Sequence, residues 1–426
     1  MQKKIVALAV AGLSTAAFAQ TNVTIYGVAD VSGQGINQSN VKSQVGTAAG
    51  YNGGNVFALQ SNSSLIGFKG TEDLGNGLKA LFQAETTMNL TGSQHSGSGN
   101  SNSAIALGTG NAVFGAMRDS FIGLNSKYGT VLGGYLSTPL RSSLTSFAVE
   151  PGATGSMQID KQMGGMRFGP SGVQFSSAIR ATAIAYAMPT LYGFDASIAY
   201  TGSNNQGTTN STSLSTCNAT ADTSACTAAP QSAWGLNLGW TGYGVNIKGA
   251  FQQANNNFNV GPNTGVGLMN QIGDYTSYLV GAQYTGIQNL KLSTVYLRNT
   301  LGTNGSTGVA GTATQGLSPN GANKLTNNQL YAGVGYRMGN WEPTVSATWS
   351  SDVDGSTVQQ LGSRQWQARV GYYMSKRTQV YGLISNLNNS ANQNYTFGQQ
   401  TSALGTAAST TGSNLFTYGM GLRTSF

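Results

Sequence analysis

Few residues in this sequence could carry out acid–base, nucleophilic or metal chemistry. The 426 residues include one histidine, two cysteines and 13 acidic side chains. The histidine, His95, lies in the segment QHSGSGNSNS, whose small polar residues are typical of a loop. Hydrolysis commonly needs a Ser–His pair or two carboxylates in a fixed pocket. We therefore expect His95 to be solvated, and we expect no catalytic residue and no enzyme activity.

Two cysteines, Cys217 and Cys226, flank the short polar stretch NATADTSA. A metal site would need further ligands nearby, whereas His95 is far away in the sequence. A disulfide that closes this loop is consistent with an oxidising compartment. We therefore favour a disulfide between these cysteines over a metal site, and we expect no cofactor.

The composition indicates which elements position these residues. Charged residues are 8% of the chain, against roughly 25% in ordinary soluble domains. The 60 glycines disfavour a helix-rich fold, because glycine costs about 1 kcal/mol per helical position relative to alanine. Hydrophobic residues make up 39%, which argues against disorder, and no run of about 20 apolar residues follows residue 20. The chain is therefore expected to be a large all-β protein.

The first 20 residues have the three parts of a secretory signal. Lys3 and Lys4 form a basic start, an apolar run extends over residues 5–13, and Ala17-Phe18-Ala19 ends the segment with an A-x-A cleavage motif. We expect cleavage between Ala19 and Gln20. Residues 1–19 would then be a signal peptide, and residues 20–426 the exported protein.

The rest of the chain alternates apolar and polar residues in segments of about ten. Between Trp234 and Trp240, for example, Leu236 and Leu238 share the face of the tryptophans, opposite Asn237. A soluble β-sandwich alternates in the same way, so the pattern alone does not separate it from a membrane barrel.

Three details favour a membrane barrel. The polar face carries glycine, glutamine, asparagine and serine, as the wall of a wet lumen would. Aromatic residues recur at strand ends, where the bilayer interfaces would lie. Connections alternate in length, since 242–244 and 339–340 are tight whereas 201–232 and 300–326 are long and polar.

We count sixteen strands, an even number of the size that leaves an aqueous channel. They are predicted at 22–32, 62–71, 77–89, 116–125, 128–137, 174–187, 193–202, 233–242, 244–254, 275–286, 289–299, 327–338, 342–351, 363–374, 377–387 and 414–426. Residues 173–179 could instead belong to the preceding loop. The sequence shows neither a second domain nor a linker.

The net charge of +8 reflects scarce acids rather than clustered bases. The 21 basic side chains include no run that would form a phosphate-binding patch. We therefore expect no nucleic-acid partner. A pore or surface with a mild preference for anions fits this balance equally well.

Five motifs carry a resemblance to a known family. They are NVTIYGVADVSG at 22–33, SSLIGFKGTEDLGNGLKALFQAET at 63–86, RDSFIGLNSKYGTVLGG at 118–134, IAYAMPTLYGFDASIAY at 184–200 and FTYGMGLRTSF at 416–426. Together they resemble the general porins of Gram-negative outer membranes, especially those of β-proteobacteria. The resemblance covers essentially the whole chain after the signal. The GFKGTEDLGNGLKA hairpin and the terminal aromatic strand are its most specific parts.

The resemblance implies an all-β, 16-stranded antiparallel transmembrane β-barrel, usually trimeric, whose third external loop folds into the lumen and constricts it. The matching loop is expected at about 137–172. In the family, carboxylates on this loop face basic residues on the barrel wall, and the resulting field orients hydrated solutes. The expected charges on this loop are Arg141, Glu150, Asp160, Lys161 and Arg167.

Individual residues are assigned by the same resemblance. Glu150 and Asp160 match the acidic side of the constriction, and Arg118 and Arg180 match basic residues of the wall. Lys69 matches as well, nearer a rim. Basic residues on the lumen face are sensible in themselves, because the lipid face would cost about 2–4 kcal/mol for each at mid-bilayer.

Three positions depart from the family pattern. Leu65, Tyr135 and Ala185 stand where relatives carry basic residues. The constriction is therefore expected to be less basic than in relatives, and its ion selectivity weak, mildly anion-preferring. The absence of a basic residue at position 135, where Tyr135 stands, also weakens the expectation of a trimer slightly, since that position is associated with subunit contacts in the family.

The resemblance also implies a location and partners. The protein would lie in the cell outer membrane, exported through the periplasm, in contact with outer-membrane lipid and lipopolysaccharide, as a homotrimer. Phe426 matches the signal that the barrel-assembly machinery reads, and it suits an aromatic belt equally well. Ions and small hydrophilic solutes would pass through the lumen.

Alternative functions remain open. The long polar segments 202–232, 300–326 and 388–413 would suit a surface-exposed adhesin or phage-receptor barrel, and a solute-specific porin is a further alternative. A barrel enzyme is least supported, because His95 is the only candidate for a catalytic residue in the sequence. The scarcity of charges argues against a dedicated solute path, so a channel for passive diffusion is the function we expect.

Overall fold

The alternating segments form β-strands in the computed structural model, which describes residues 22–40, 54–91, 113–151, 157, 159, 163–168, 173–202, 232–255, 274–302, 323–397 and 411–426. Within these ranges the strands are β1 Asn22–Ser39, β2 Asn55–Ser61, β3 Leu65–Gly75, β4 Leu78–Met88, β5 Phe114–Met117, β6 Ser120–Ser126, β7 Gly129–Ser137, β8 Gly165–Phe168, β9 Val173–Ser176, β10 Arg180–Ala187, β11 Phe194–Thr201, β12 Ser232–Gly242, β13 Val245–Asn255, β14 Tyr275–Tyr284, β15 Leu290–Gly302, β16 Lys324–Tyr336, β17 Trp341–Ser350, β18 Ser363–Tyr373, β19 Thr378–Asn389 and β20 Asn414–Ser425. The helix α1 spans Pro139–Ser146. None of the helices in this described part is long and apolar enough to cross a bilayer.

Eighteen of these strands belong to one antiparallel sheet that closes on itself. Strand β7 pairs with β10, and β20 pairs with β1 from Val28 opposite Ser425 to Ser39 opposite Asn414. Strands β2 and β3 both pair with β1, and β5 and β6 both pair with β4, so each couple is one interrupted barrel strand. The barrel therefore has sixteen strands, and the prediction of a 16-stranded antiparallel barrel is confirmed.

The two faces of the wall differ in the way that the alternation predicts. In β18, Trp366 and Val370 are exposed, whereas Gln365, Gln367 and Arg369 are at most 3% exposed. The apolar residues point outward and the polar ones inward. An apolar outer band and a polar interior are typical of a barrel that spans a membrane around an aqueous lumen.

Each of the two interrupted strands contains a β-bulge at its interruption. Ser61 lies opposite Val31 and Leu65 opposite Val28, so one strand uses an extra residue between the two pairs. The same excess occurs between β5 and β6 relative to β4. An extra residue breaks the strict alternation and turns consecutive side chains towards one face. Polar side chains of both bulges consequently contact inward-facing residues.

The chain between β7 and β10 packs on the inward face of the wall. Thr138 caps helix α1, because its side chain accepts a hydrogen bond from the Arg141 N–H, and Pro139 is suited to the first helical turn. The buried residues on this segment and on the wall form one apolar cluster: Leu140, Leu144, Phe147, Ile159, Met163 and Ala178 with Ala250, Leu279, Val295, Leu297 and Tyr331. This cluster fixes the segment against β13–β16.

One predicted strand boundary is corrected by the structure. Val173–Ser176 pairs with Gly165–Phe168 in a separate two-stranded sheet, and the barrel strand begins only at Arg180. Residues 173–179 therefore belong to the preceding loop, as the alternative interpretation had it, and that loop extends beyond residue 172. The reason is that the local hairpin satisfies the backbone groups of these residues without the barrel wall.

The barrel closes next to the last residue. The N–H and C=O groups of Gly27 and Phe426 form reciprocal hydrogen bonds, both 3.1 Å long. The Phe426 ring lies over Gly27, where a Cβ would come within 2.5 Å of the ring. Gly27 therefore leaves the space that the terminal aromatic ring occupies on the outer face.

Replacing Gly281 by alanine is expected to destabilise the barrel, because the new Cβ would lie 2.3 Å from Cε2 of Phe147. Overpacking of this kind typically costs about 1–3 kcal/mol of unfolding free energy. Gly249→Ala on the neighbouring strand is the matched control, since its Cβ would meet nothing nearer than 3.9 Å. The midpoint of urea unfolding, followed by tryptophan fluorescence, measures both variants. Equal midpoints would show that the packing of Phe147 does not depend on the absence of a side chain at position 281.

Candidate pore constriction

Two arginine–carboxylate pairs line one side of the inner wall. Arg118 Nε lies 3.5 Å from Glu85 Oε2, and Arg180 Nε lies 3.2 Å from Asp119 Oδ2. We call these four residues the first wall cluster. Tyr26 donates a hydrogen bond of 2.8 Å to the Glu85 carboxylate. The structure thus places Arg118 and Arg180 on the same side of the lumen and gives each a carboxylate partner.

The bulge between β5 and β6 explains why Arg118 and Asp119 both serve this cluster. Adjacent residues of a regular strand point to opposite faces. Met117 lies opposite Thr86 and Phe121 opposite Gln83, so the extra residue falls at Arg118–Asp119 and lets both side chains reach the interior. Sequence reasoning missed Glu85 and Asp119. The signal that could have found them is the adjacency of Asp119 to a predicted wall arginine.

A third arginine approaches the first wall cluster from the loop. Arg141 on α1 donates a 2.8 Å hydrogen bond to the carbonyl oxygen of Ala178, close to where β10 begins. Its charge lies near enough to Arg118 for the two guanidinium groups to repel. Arg118, Arg180 and Arg141 therefore lie on the same side of the lumen.

A second wall cluster joins the first strand of the barrel to the last ones. Arg423 Nη1 lies 3.2 Å from Asp30 Oδ2, and the other oxygen of this carboxylate accepts hydrogen bonds from Tyr381 and Asn62. The Arg369 guanidinium lies 4.3 Å from the centroid of the Tyr381 ring, so the two charged groups share one aromatic neighbour. The alternation of β1, β18 and β20 places these residues on the polar face, but only barrel closure brings them together.

Glu150 attaches the loop to the opposite side of the lumen. Its carboxylate accepts hydrogen bonds from Tyr331 at 3.2 Å, from Gln367 at 3.0 Å and from Ser346. Lys291 donates to the carbonyl oxygen of Ala148 two residues earlier. Glu150 is only 3% exposed, so its charge is held on the wall formed by β16, β17 and β18.

The remaining predicted charges that the structure describes lie elsewhere. Lys69 is exposed on β3, with its ammonium 4.9 Å from the ring centroid of Tyr26. Arg167 on β8 donates a 2.9 Å hydrogen bond to the carbonyl oxygen of Asn394. Burial lowers the pKa of the Arg167 guanidinium. Arg167 therefore links the loop to the segment that follows β19 rather than to the first wall cluster.

Several predictions fall on residues outside the described ranges. These are the loop charges Asp160 and Lys161, the cysteines Cys217 and Cys226, His95, and the cleavage site at Ala19 and Gln20. Among the residues that are described, no group of three or more histidine, cysteine or acidic side chains could hold a metal ion. The disulfide and the signal peptide stay predictions.

A closed antiparallel barrel with an exposed apolar outer face and paired charges inside defines the class of outer-membrane β-barrel proteins. Within that class the chain belongs to the Gram-negative porin family, whose sequence model matches residues 6–393. The predicted family and the location in the cell outer membrane are thereby confirmed.

Curated relatives match part of the chain. The major outer membrane protein P.IB of Neisseria gonorrhoeae is 30% identical over 217 residues, covering 49% of this chain and 50% of that protein. Outer membrane porin protein 32 of Delftia acidovorans is 31% identical over 201 residues, covering 47% and 49%. The chain thus spans about half the length of these two curated relatives, and 36% of P.IB from Neisseria meningitidis serogroup B.

Solved structures match the fold over almost the whole chain. The anion-selective porin from Comamonas acidovorans aligns with a TM-score of 0.62 at 19% identity, covering 96% of this chain and 100% of that one. OmpF of Salmonella typhi in complex with daunomycin aligns with a TM-score of 0.57 at 17% identity, covering 95% and 97%. These likenesses establish a shared barrel fold.

Glu150→Ala is expected to loosen the loop from the far wall, because Tyr331, Gln367 and Ser346 lose their shared acceptor. A hydrogen bond to a charged group contributes about 1.5–3 kcal/mol, so the unfolding free energy should fall by at least that amount. Amide hydrogen exchange should rise in α1. The control is Glu72→Ala, which removes an equal charge from β3. Unchanged exchange in α1 for the Glu150 variant would contradict the anchoring role.

Proposed function

We propose that this protein is an outer-membrane channel for the passive diffusion of ions and small hydrophilic solutes. The observation that carries the proposal is the closed sixteen-strand barrel, whose inward face is polar while its outward face is apolar. A lumen that discriminates by width and field needs no reacting group. Membership of the porin family supports the proposal, and the family is not a class of enzymes.

The loop between β7 and β10 is proposed to narrow this lumen. It is attached to the far wall through Glu150, and its helix α1 packs on β11–β14 with Leu140 and Leu144 buried. The loop thereby crosses from the side of the first wall cluster to the opposite side. Solutes would pass between the arginines of the first wall cluster and the anchored loop.

The ion selectivity is proposed to be weak, with a mild preference for anions. Glu85 and Asp119 compensate Arg118 and Arg180, and an ion pair acts at a distance as a dipole rather than as two charges. Pairing therefore weakens the field of the two wall arginines, which keeps the proposed preference for anions mild.

Orientation and partners follow from the same architecture. Short turns such as 243–244 would face the periplasm, whereas the long connections would face outward. The exposed apolar band would contact outer-membrane lipid, with lipopolysaccharide in the outer leaflet, and part of it would be covered in a homotrimer. Phe426 is 47% exposed at the end of the chain, where the barrel-assembly machinery could bind it.

Recordings from purified, folded protein in a planar bilayer test the proposed function. We expect stepwise increases of current that scale with the salt concentration, as in a water-filled pore. Heat-denatured protein in the same detergent is the control, because it lacks the closed barrel. If protein that migrates as folded on electrophoresis gives no stepwise increases of current, the proposed channel function is refuted.

Asp119→Asn should increase the preference for anions, because it leaves Arg180 without its carboxylate partner. A unit charge about 8 Å away in water changes the energy of a monovalent ion by about 0.5 kcal/mol, roughly a two-fold change in its local concentration. The reversal potential under a gradient of dilute potassium chloride measures the shift. Asp73→Asn, at an exposed position near the end of β3, removes the same charge as a control. Equal shifts in both variants would refute the role of the Asp119–Arg180 pair.

A further inference from the structure

Residues 390–397, which follow β19, lie inside the barrel rather than outside it; we call them the inner arm. Gln393, Asn394, Tyr395 and Phe397 are each at most 4% exposed. Tyr395 and Phe397 pack with three residues of the inward wall: Ile36, Leu387 and Leu415. The inner arm therefore covers the wall where β19, β20 and β1 meet.

Tyr395 extends the inner arm across neighbouring strands. Its hydroxyl lies 3.1 Å from Gln329 Nε2 on β16 and 3.2 Å from Ser350 Oγ on β17. The same hydroxyl lies 3.3 Å from the carbonyl oxygen of Gly165 on β8. One side chain thus joins the inner arm, the wall and the β7–β10 loop.

Arg167 forms a second joint between the inner arm and the loop. It donates to the carbonyl oxygen of Asn394 at 2.9 Å, and Gln393 Nε2 donates back to the carbonyl oxygen of Arg167 at 3.2 Å. The guanidinium lies 5.7 Å from the centroid of the Tyr395 ring. Because these bonds run in both directions, the loop and the inner arm fix each other.

The connection between β17 and β18 supports the inner arm from the other side. Ser390 N donates to the carbonyl oxygen of Gly362 at 3.0 Å, and Asn392 N donates to that of Gln360 at 3.1 Å. The inner arm is therefore held by backbone as well as side-chain bonds. Residues 390–397 themselves include no charged side chain.

The inner arm and Glu150 lie at different depths of the lumen. On β17, Ser350 contacts Tyr395 whereas Ser346 contacts Glu150. Four residues along a strand correspond to about 13 Å. We call the end of the barrel that carries the long connections the long-connection end. Ser350 is the last residue of β17 and precedes such a connection, so its contact with Tyr395 lies nearer that end. A solute entering from that end meets the inner arm first.

We propose that the inner arm is a second constriction of the lumen, held in place by Tyr395 and Arg167, which limits solutes by size before they reach Glu150. The proposal rests on the diffusion function proposed above. A layer that packs on a sheet lies about 10 Å from it, and a barrel of sixteen tilted strands is about 30 Å across at the backbone. The inner arm therefore removes a large part of the bore beside β16–β20 and β1. Because its groups are mainly neutral, it restricts size rather than charge.

A double variant, Arg167→Gln with Tyr395→Phe, tests this by weakening both joints. We expect the single-channel conductance to rise by about 1.5-fold, because the current grows with the open cross-section beside this part of the wall. Liposome swelling should also become faster for larger neutral sugars. The matched control is Arg364→Gln with Tyr418→Phe, which makes the same exchanges at exposed positions. A folded double variant with the conductance and size limit of the wild type would overturn the proposal.

A measurement on the unmodified protein keeps the test independent of how the variant folds. Neutral polyethylene glycols of increasing size are added to one side of a bilayer that holds channels in one orientation. With the second constriction present, polymers added at the long-connection end should be excluded at a smaller size than those added at the other end. Equal exclusion from both ends would refute the inner constriction. Wild-type protein without any conductance would instead refute the diffusion function itself.

Discussion

A strand that faces lipid has no water to satisfy its backbone hydrogen bonds, and this constraint determines the rest of the structure. Every N–H and C=O in the bilayer must find a partner strand, so the sheet has to close. Here closure depends on the long ladder between β1 and β20, which runs from Val28 opposite Ser425 to Ser39 opposite Asn414. Once the sheet is closed, alternation sends one half of the side chains to lipid and the other half to the lumen.

The closed wall then decides where the few charges can lie. Arginine and carboxylate side chains are costly on the lipid face, so they collect inside, where Arg118, Arg180 and Arg423 each meet a carboxylate. The two bulges refine this arrangement, because each adds polar side chains at one level of the wall. The loop after β7 and the inner arm contact inward-facing residues of the wall and are joined to each other through Arg167.

The sequence predicted all sixteen barrel strands because a period of two is a strong local signal, and β12 at Ser232–Gly242 differs from its prediction by a single residue. Strand β1 is longer than predicted, since Gly33–Ser39 has Ile36 as its one apolar side chain and otherwise resembles a polar loop. The pairing of Arg118 with Glu85 could not be predicted, because it depends on one extra residue in a bulge. The contact of Asp30 with Arg423 depends on closure between strands that are nearly 400 residues apart. Local patterns determine neither feature.

The seam between β1 and β20 also has a kinetic consequence. Its partners are the first and last strands in the described chain, so the ladder is the most non-local contact that this topology allows. Pairing between residues so far apart in sequence is slow to form. Until β20 is in place, β1 and β19 each present an unpaired edge, and such edges attract other chains. A chain that stops before Asn414 would consequently be an open sheet prone to aggregation, which gives the cell a physical criterion for recognising incomplete molecules.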